Sequence, residues 1–69
     1  MWREMSEKIV NAMDQAEAKA WESLSGYKFL MFGYHAATWV NLSHLLRERP
    51  PNPFYQLVKA ARTYTEESL

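Results

Sequence analysis

The fold class predicted by the 69 residues is all-α: an antiparallel helical hairpin plus a short C-terminal helix, dimerising through the second helix. Three observations predict it. Apolar residues recur at spacings of three and four from Trp2 to Leu24, a long apolar run follows from Gly26 to Leu46, and a P-P-N-P break precedes another amphipathic segment. The expected helices cover about 2–24, 27–48 and 53–65 of a single domain.

In the first helix Trp2, Met5, Ile9, Ala12, Met13, Ala16, Ala20 and Leu24 share one face, which reads as ordinary core. Ser23, Ser25 and Gly26 loosen the pattern, and Gly26 suits a C-cap or turn position. A short connection there favours a hairpin over a continuous bent helix.

The second helix is expected to stop at Arg47 or Glu48, because Pro50 and Pro51 drive the residue before them out of the helical region. Arg47 and Arg49 near that end suit the negative pole of the helix dipole. At 100° per residue, Phe29, Phe32, Ala36, Trp39, Ser43 and Leu46 form one stripe, and Tyr27, Tyr34, Thr38, Leu42 and Leu45 form another nearly opposite. A helix apolar all round belongs in a core, and one neighbour in a chain this short is too little cover. A second subunit is therefore expected over Phe29, Phe32, Gly33, Ala36, Ala37, Trp39 and Val40. Gly33 and Ala37 make a small-xxx-small notch that admits the two-fold partner's own helix.

In the third helix Asn52 is placed to serve as N-cap and Pro53 as the first helical residue. Phe54, Leu57, Val58, Ala61 and Tyr64 then give a short amphipathic face, expected to fold back on the hairpin. The closing T-E-E-S-L is polar and expected to fray.

Composition agrees with an assembly. A domain of about 60 residues buries only about 60% of the surface its unfolded chain exposes, so folding alone is marginal. There is no cysteine, which removes disulfides, cysteine-based zinc sites and thiol catalysis and leaves oligomerisation as the staple. Three tryptophans add apolar surface that needs cover.

Formal net charge is zero, against the basic excess of a general polyanion binder. Its distribution is uneven. Arg3, Lys8 and Lys19 against Glu4, Glu7, Asp14, Glu17 and Glu22 leave the first helix at −2, while Lys28, Arg47, Arg49, Lys59 and Arg62 against Glu48 leave residues 26–63 at +4. Glu66 and Glu67 restore neutrality. The opening M-W-R-E-M-S-E-K is charged and lacks the apolar core of a signal peptide. Lys28, His35, Asn41 and His44 interrupt the apolar run, and a central Lys costs about 2.5–3.5 kcal/mol on insertion scales, so no membrane span and a cytoplasmic location are expected.

Catalytic constellations are hard to find. His35 and His44 are nine residues apart and point to opposite sides of a helix, which excludes a shared metal. The serines have no motif around them, no glycine loop suits a phosphate, and Asp14 with Glu17 reads first as a solvated face. No enzyme, metal or cofactor is expected.

Arg3, Glu7, Val10, Asp14, Glu17 and Trp21 recur at three and four on a strip well off the core stripe of the first helix. Trp21 either packs near the turn or against a second subunit, or it is an aromatic anchor beside carboxylates, suited to a basic partner surface. Such surfaces occur on nucleic-acid-binding proteins, and an acidic helix can occupy one and exclude the nucleic acid. Glu7, Val10, Asp14, Glu17 and Trp21 are thus the candidate partner-binding residues. Arg47, Arg49, Lys59 and Arg62 read first as surface charge; as a nucleic-acid patch they would have to converge, and Lys59 and Arg62 do neighbour each other at i,i+3.

The acidic first helix M-S-E-K-I-V-N-A-M-D-Q-A-E-A-K-A-W, the aromatic K-F-L-M-F-G-Y-H-A-A-T-W-V-N-L and the P-P-N-P break resemble the small early proteins of transposable bacteriophages. More narrowly, the chain is similar to the phage anti-quorum-sensing anti-activators in size and general pattern. The resemblance implies a helical homodimer in the host bacterial cytoplasm. It also implies binding to the helix-turn-helix DNA-binding domain of a LuxR-type transcription activator, without direct binding of nucleic acid. A second implied host target is the assembly ATPase of type IV pili. No diagnostic motif carries family residues over, so the acidic strip stands on its own pattern. A small DNA-binding repressor, a membrane-surface protein and another phage counter-defence inhibitor remain open.

Overall fold

The computed structural model describes residues 2–68, and it is all-helical there, with no strand among them. The elements in order are α1 (Trp2–Ser25), α2 (Phe29–Ser43) and α3 (Tyr55–Ser68). Trp2 and Arg3, which open the expected core face and acidic strip, have side chains outside the described residues.

Helices α1 and α2 pack on each other. Met13, Ala16 and Ala20 from α1 and Trp39 from α2 are buried, joined by Phe54 from the connection to α3, with Ile9, Phe32, Ala36, Val40, Leu42 and Leu46 around them. The small Ala16 and Ala20 on α1 leave room for the bulky rings across the contact. The α1 face is therefore the expected one, except at its beginning. Met5 is exposed, because a 24-residue helix is longer by about 13 Å than its 15-residue neighbour and overhangs it.

The turn after α1 holds Gly26 at the expected C-cap position, directly after Ser25. Lys28 N–H donates to Ser23 O at 2.9 Å and Tyr27 N–H to Leu24 O at 3.0 Å, the paired bonds of a Schellman motif. In that motif the left-handed position falls on Tyr27, at φ 60°, and Gly26 precedes it with an ordinary negative φ. A tyrosine there carries a Cβ penalty of about 1–2 kcal/mol that a glycine would avoid. Its ring stands edge-on to Phe29 at 6.2 Å.

Helix α2 ends at Ser43, well before the prolines expected to stop it. Ser43 Oγ donates to Val40 O at 2.6 Å, and Leu45 N–H and Leu46 N–H then bond three residues back, to Leu42 and Ser43. The tightened winding turns Leu46 inward against the core and leaves His44 and Leu45 outside. Residues 44–54 then form a connection that returns Phe54 to the core.

The start of α3 keeps part of the expected chemistry: Asn52 Oδ1 accepts the Phe54 N–H at 2.7 Å across Pro53. That turn leads into the helix, whose first residue is Tyr55, two positions later than expected. Its packing is also not the expected one. Only Phe54 is docked, and every residue from Tyr55 to Glu67 is exposed. The helix extends away from the pair and does not fold back on it. The result is a molecule 49 × 25 × 13 Å with a radius of gyration of 14.0 Å, against about 11 Å for a compact chain of this length.

Candidate functional site

The acidic strip of α1 divides into three local environments. Glu7 lies in a shallow depression with Ser6, Val10 and Asn11. Val10, Asp14 and Glu17 border a groove of about 510 Å³ between α1 and the connection that follows α2. Trp21 sits at the far end, on an aromatic cluster.

That cluster is centred on Phe54, which is 4% exposed. The Trp21 ring lies 5.1 Å from Phe54, with Phe32 at 5.4 Å and Trp39 at 6.4 Å, both edge-on. Trp21 also approaches Phe32 at 6.5 Å. Edge-on and tilted rings at these separations are favourable arrangements. The Trp21 Nε1–H donates to Glu17 Oε2 at 3.0 Å, so ring and carboxylate fix each other one helical turn apart. Trp21 is thus first a packing residue, with 38% of its surface left open.

The groove combines an apolar floor with charged edges. Met13, Trp39 and Leu46 lie at its base, Pro50, Pro51 and Pro53 form the opposite wall, and Asp14, Glu17, Glu48 and Arg49 supply the charges. Proline rings present apolar surface without a backbone donor, so this wall is rigid and apolar. Three carboxylates against one guanidinium leave the rim net negative, beside a surface that accepts the aliphatic stem of a long basic side chain.

Sequence reasoning found Val10, Asp14 and Glu17 but missed Glu48, Leu46 and the proline wall. In the sequence Pro50 and Pro51 read as helix stops and Pro53 as a helix start, although a P-P-x-P run is also an apolar surface. Glu48, the lone acid among basic neighbours, was a second available signal.

The expected dimer residues also divide. Trp39 is buried and Phe32, Ala36 and Val40 are half-buried within the protomer. Phe29, Gly33 and Ala37 are exposed, together with Leu30, Met31 and Tyr34. A Cβ added at Gly33 would meet nothing within 4 Å. The two histidines are separate, His35 half-buried with its ring 5.2 Å from Tyr34 and His44 exposed just past α2. Among the described residues no helix is long and apolar enough to cross a membrane.

Comparison with protein families, with curated proteins and with solved structures returned no match.

Proposed function

We propose that this chain is a phage-encoded protein inhibitor that binds the DNA-binding domain of a LuxR-type quorum-sensing transcription activator and blocks its access to DNA. The observation that carries the proposal is the groove beside α1, apolar at its base and acidic at its rim through Asp14, Glu17 and Glu48. A DNA-binding surface is rich in Lys and Arg. Such side chains can lay their stems on Trp39 and the proline wall while their charged ends meet the carboxylates. The mechanism is occlusion, with no catalytic residue, metal or cofactor. It acts in the host bacterial cytoplasm, and the family resemblance adds the type IV pilus assembly ATPase as a second target.

In this proposal α1 and α2 form an antiparallel hairpin. Trp21 meets Phe32 near the turn, while Val10 and Met13 share the groove with Trp39 and Leu46 at the other end. The chain acts as a homodimer through the outer face of α2, where Gly33 and Ala37 form a row beside that of Leu30 and Tyr34. Glycine inside a helix costs about 1 kcal/mol relative to alanine, and nothing in the protomer requires its small size at position 33. Close approach by a second helix supplies a reason for it. Two grooves per dimer would raise avidity for a dimeric activator.

Titration of the activator's DNA-binding domain with the purified protein tests the groove. Asp14 is exposed and lies off the packed face, so Asp14→Lys is expected to weaken binding by about tenfold while changing stability by less than about 0.5 kcal/mol. Added salt is expected to slow association. Unchanged affinity for the variant would remove the groove from the interface. A small dimeric DNA-binding repressor is the second reading, favoured by Lys59 and Arg62 on the exposed α3, and a gel shift with duplex DNA separates the two. Another phage counter-defence inhibitor shares the same physics and differs in the protein it captures.

A further inference from the structure

We infer that α3 is an exchanged arm, which in the homodimer packs its apolar ridge against the outer face of α2 in the second copy. The inference rests on the proposed dimer and adds an element that a dimer built from α2 alone would leave bare.

An isolated helix of this length is marginal in water even with good helix formers. Helix α3 has 14 residues and docks on neither α1 nor α2. Yet it is patterned to be covered, for Leu57, Val58 and Ala61 fall at spacings of one, three and four on one side and are all exposed. A ridge of that kind is half of a helix–helix contact.

The other half is available on α2. Phe29, Leu30, Met31 and Tyr34 are 64, 88, 49 and 67% exposed, a large bare apolar surface for so small a molecule. The two patches are also of similar extent, with Phe29 to Tyr34 and Leu57 to Ala61 spanning about 8 and 6 Å along their helices. Within one chain they do not meet.

The area of the molecule points to a second copy as the occupant. The accessible surface is 5966 Å² for 8.1 kDa, while a compact monomer of that mass exposes about 4,500 Å². The excess, about 1,500 Å², falls in the range that each subunit of an obligate homodimer buries, about 1,000–2,500 Å². An interface of ordinary size takes only about 800 Å² per partner. The whole excess is larger than that, as expected if both the α2 face and the α3 ridge are covered.

The test compares the full-length wild type with Leu57→Glu/Val58→Glu and with Ala61→Arg, by sedimentation equilibrium and by hydrogen exchange of the α3 amides. These positions are exposed in the protomer, so helicity of the α1–α2 pair and tryptophan fluorescence are expected to match wild type. An exchanged arm predicts a dimeric wild type with protected α3 amides, and a dimer Kd raised on the order of a hundredfold in the double variant, with loss of that protection. A dimeric wild type whose variants dimerise equally well would overturn the exchanged arm and leave the α2 dimer standing. A monomeric wild type at micromolar concentration would overturn both. Binding of the activator domain is measured separately, so failure of the inhibitory groove is distinguishable from either result.

Discussion

The two faces of α2 are built from similar residues and live in different surroundings. The inner face places Phe32, Ala36, Trp39 and Ser43 against α1 and Phe54, and Trp39 is 5% exposed. The outer face carries Leu30, Gly33, Tyr34 and Ala37 into the open. One face is explained by the fold and the other is not. An apolar side chain gains about 1.5–3 kcal/mol from burial, and on the outer face that gain is unrealised within the protomer. The proposed dimer would supply the contact that the outer face lacks within a single chain.

The largest effect expected from breaking this comparison lies on the inner face. Trp39→Ala should cost about 3–5 kcal/mol, comparable with the whole stability of a domain this size at about 0.05–0.15 kcal/mol per residue, and urea denaturation should find the variant largely unfolded. Leu30→Ala on the outer face should leave the urea midpoint of the dissociated protomer nearly unchanged. Phe54→Ala comes next, at about 3 kcal/mol. It removes the ring that Trp21 and Trp39 share, so tryptophan emission should shift to the red as the connection detaches.

Gly33→Ala sharpens the comparison because its two effects have opposite signs. In the dissociated protomer it should stabilise α2 by about 0.8–1 kcal/mol, since the added methyl group meets nothing. At concentrations where two copies pair, the same methyl group should hinder close approach and raise the dimer Kd. Tyr27→Gly has the smallest expected effect. Relief of the left-handed Cβ penalty is partly offset by the greater freedom of glycine in the unfolded chain, leaving a gain below about 1 kcal/mol in thermal or urea unfolding.

Much of the helical content was legible in the residues, and the reasons are local. Spacings of three and four placed Met13, Ala16 and Ala20 on the buried side of α1, and Asn52 with Pro53 announced α3, which begins two positions later than they indicate. Features that depend on what lies opposite were harder to read. The amphipathic face from Phe54 to Tyr64 indicated that α3 has a side to bury, but periodicity carries no information about which molecule buries it. Phe54 separated from that face because it docks before the helix begins. The early end of α2 depended on Leu46 turning toward the core, a tertiary contact that proline positions do not reveal. At the candidate site, helical spacing identified Val10, Asp14 and Glu17. Glu48 and the proline wall reach the groove only because the connection returns toward α1.

The most direct test of the account is the mass of the wild-type protein in solution, measured by multi-angle light scattering across micromolar concentrations. Completion of α2 by a second copy predicts twice the chain mass of 8.1 kDa, falling toward one chain mass on dilution. A protein that stays at one chain mass at every concentration, with its helicity intact, would contradict it.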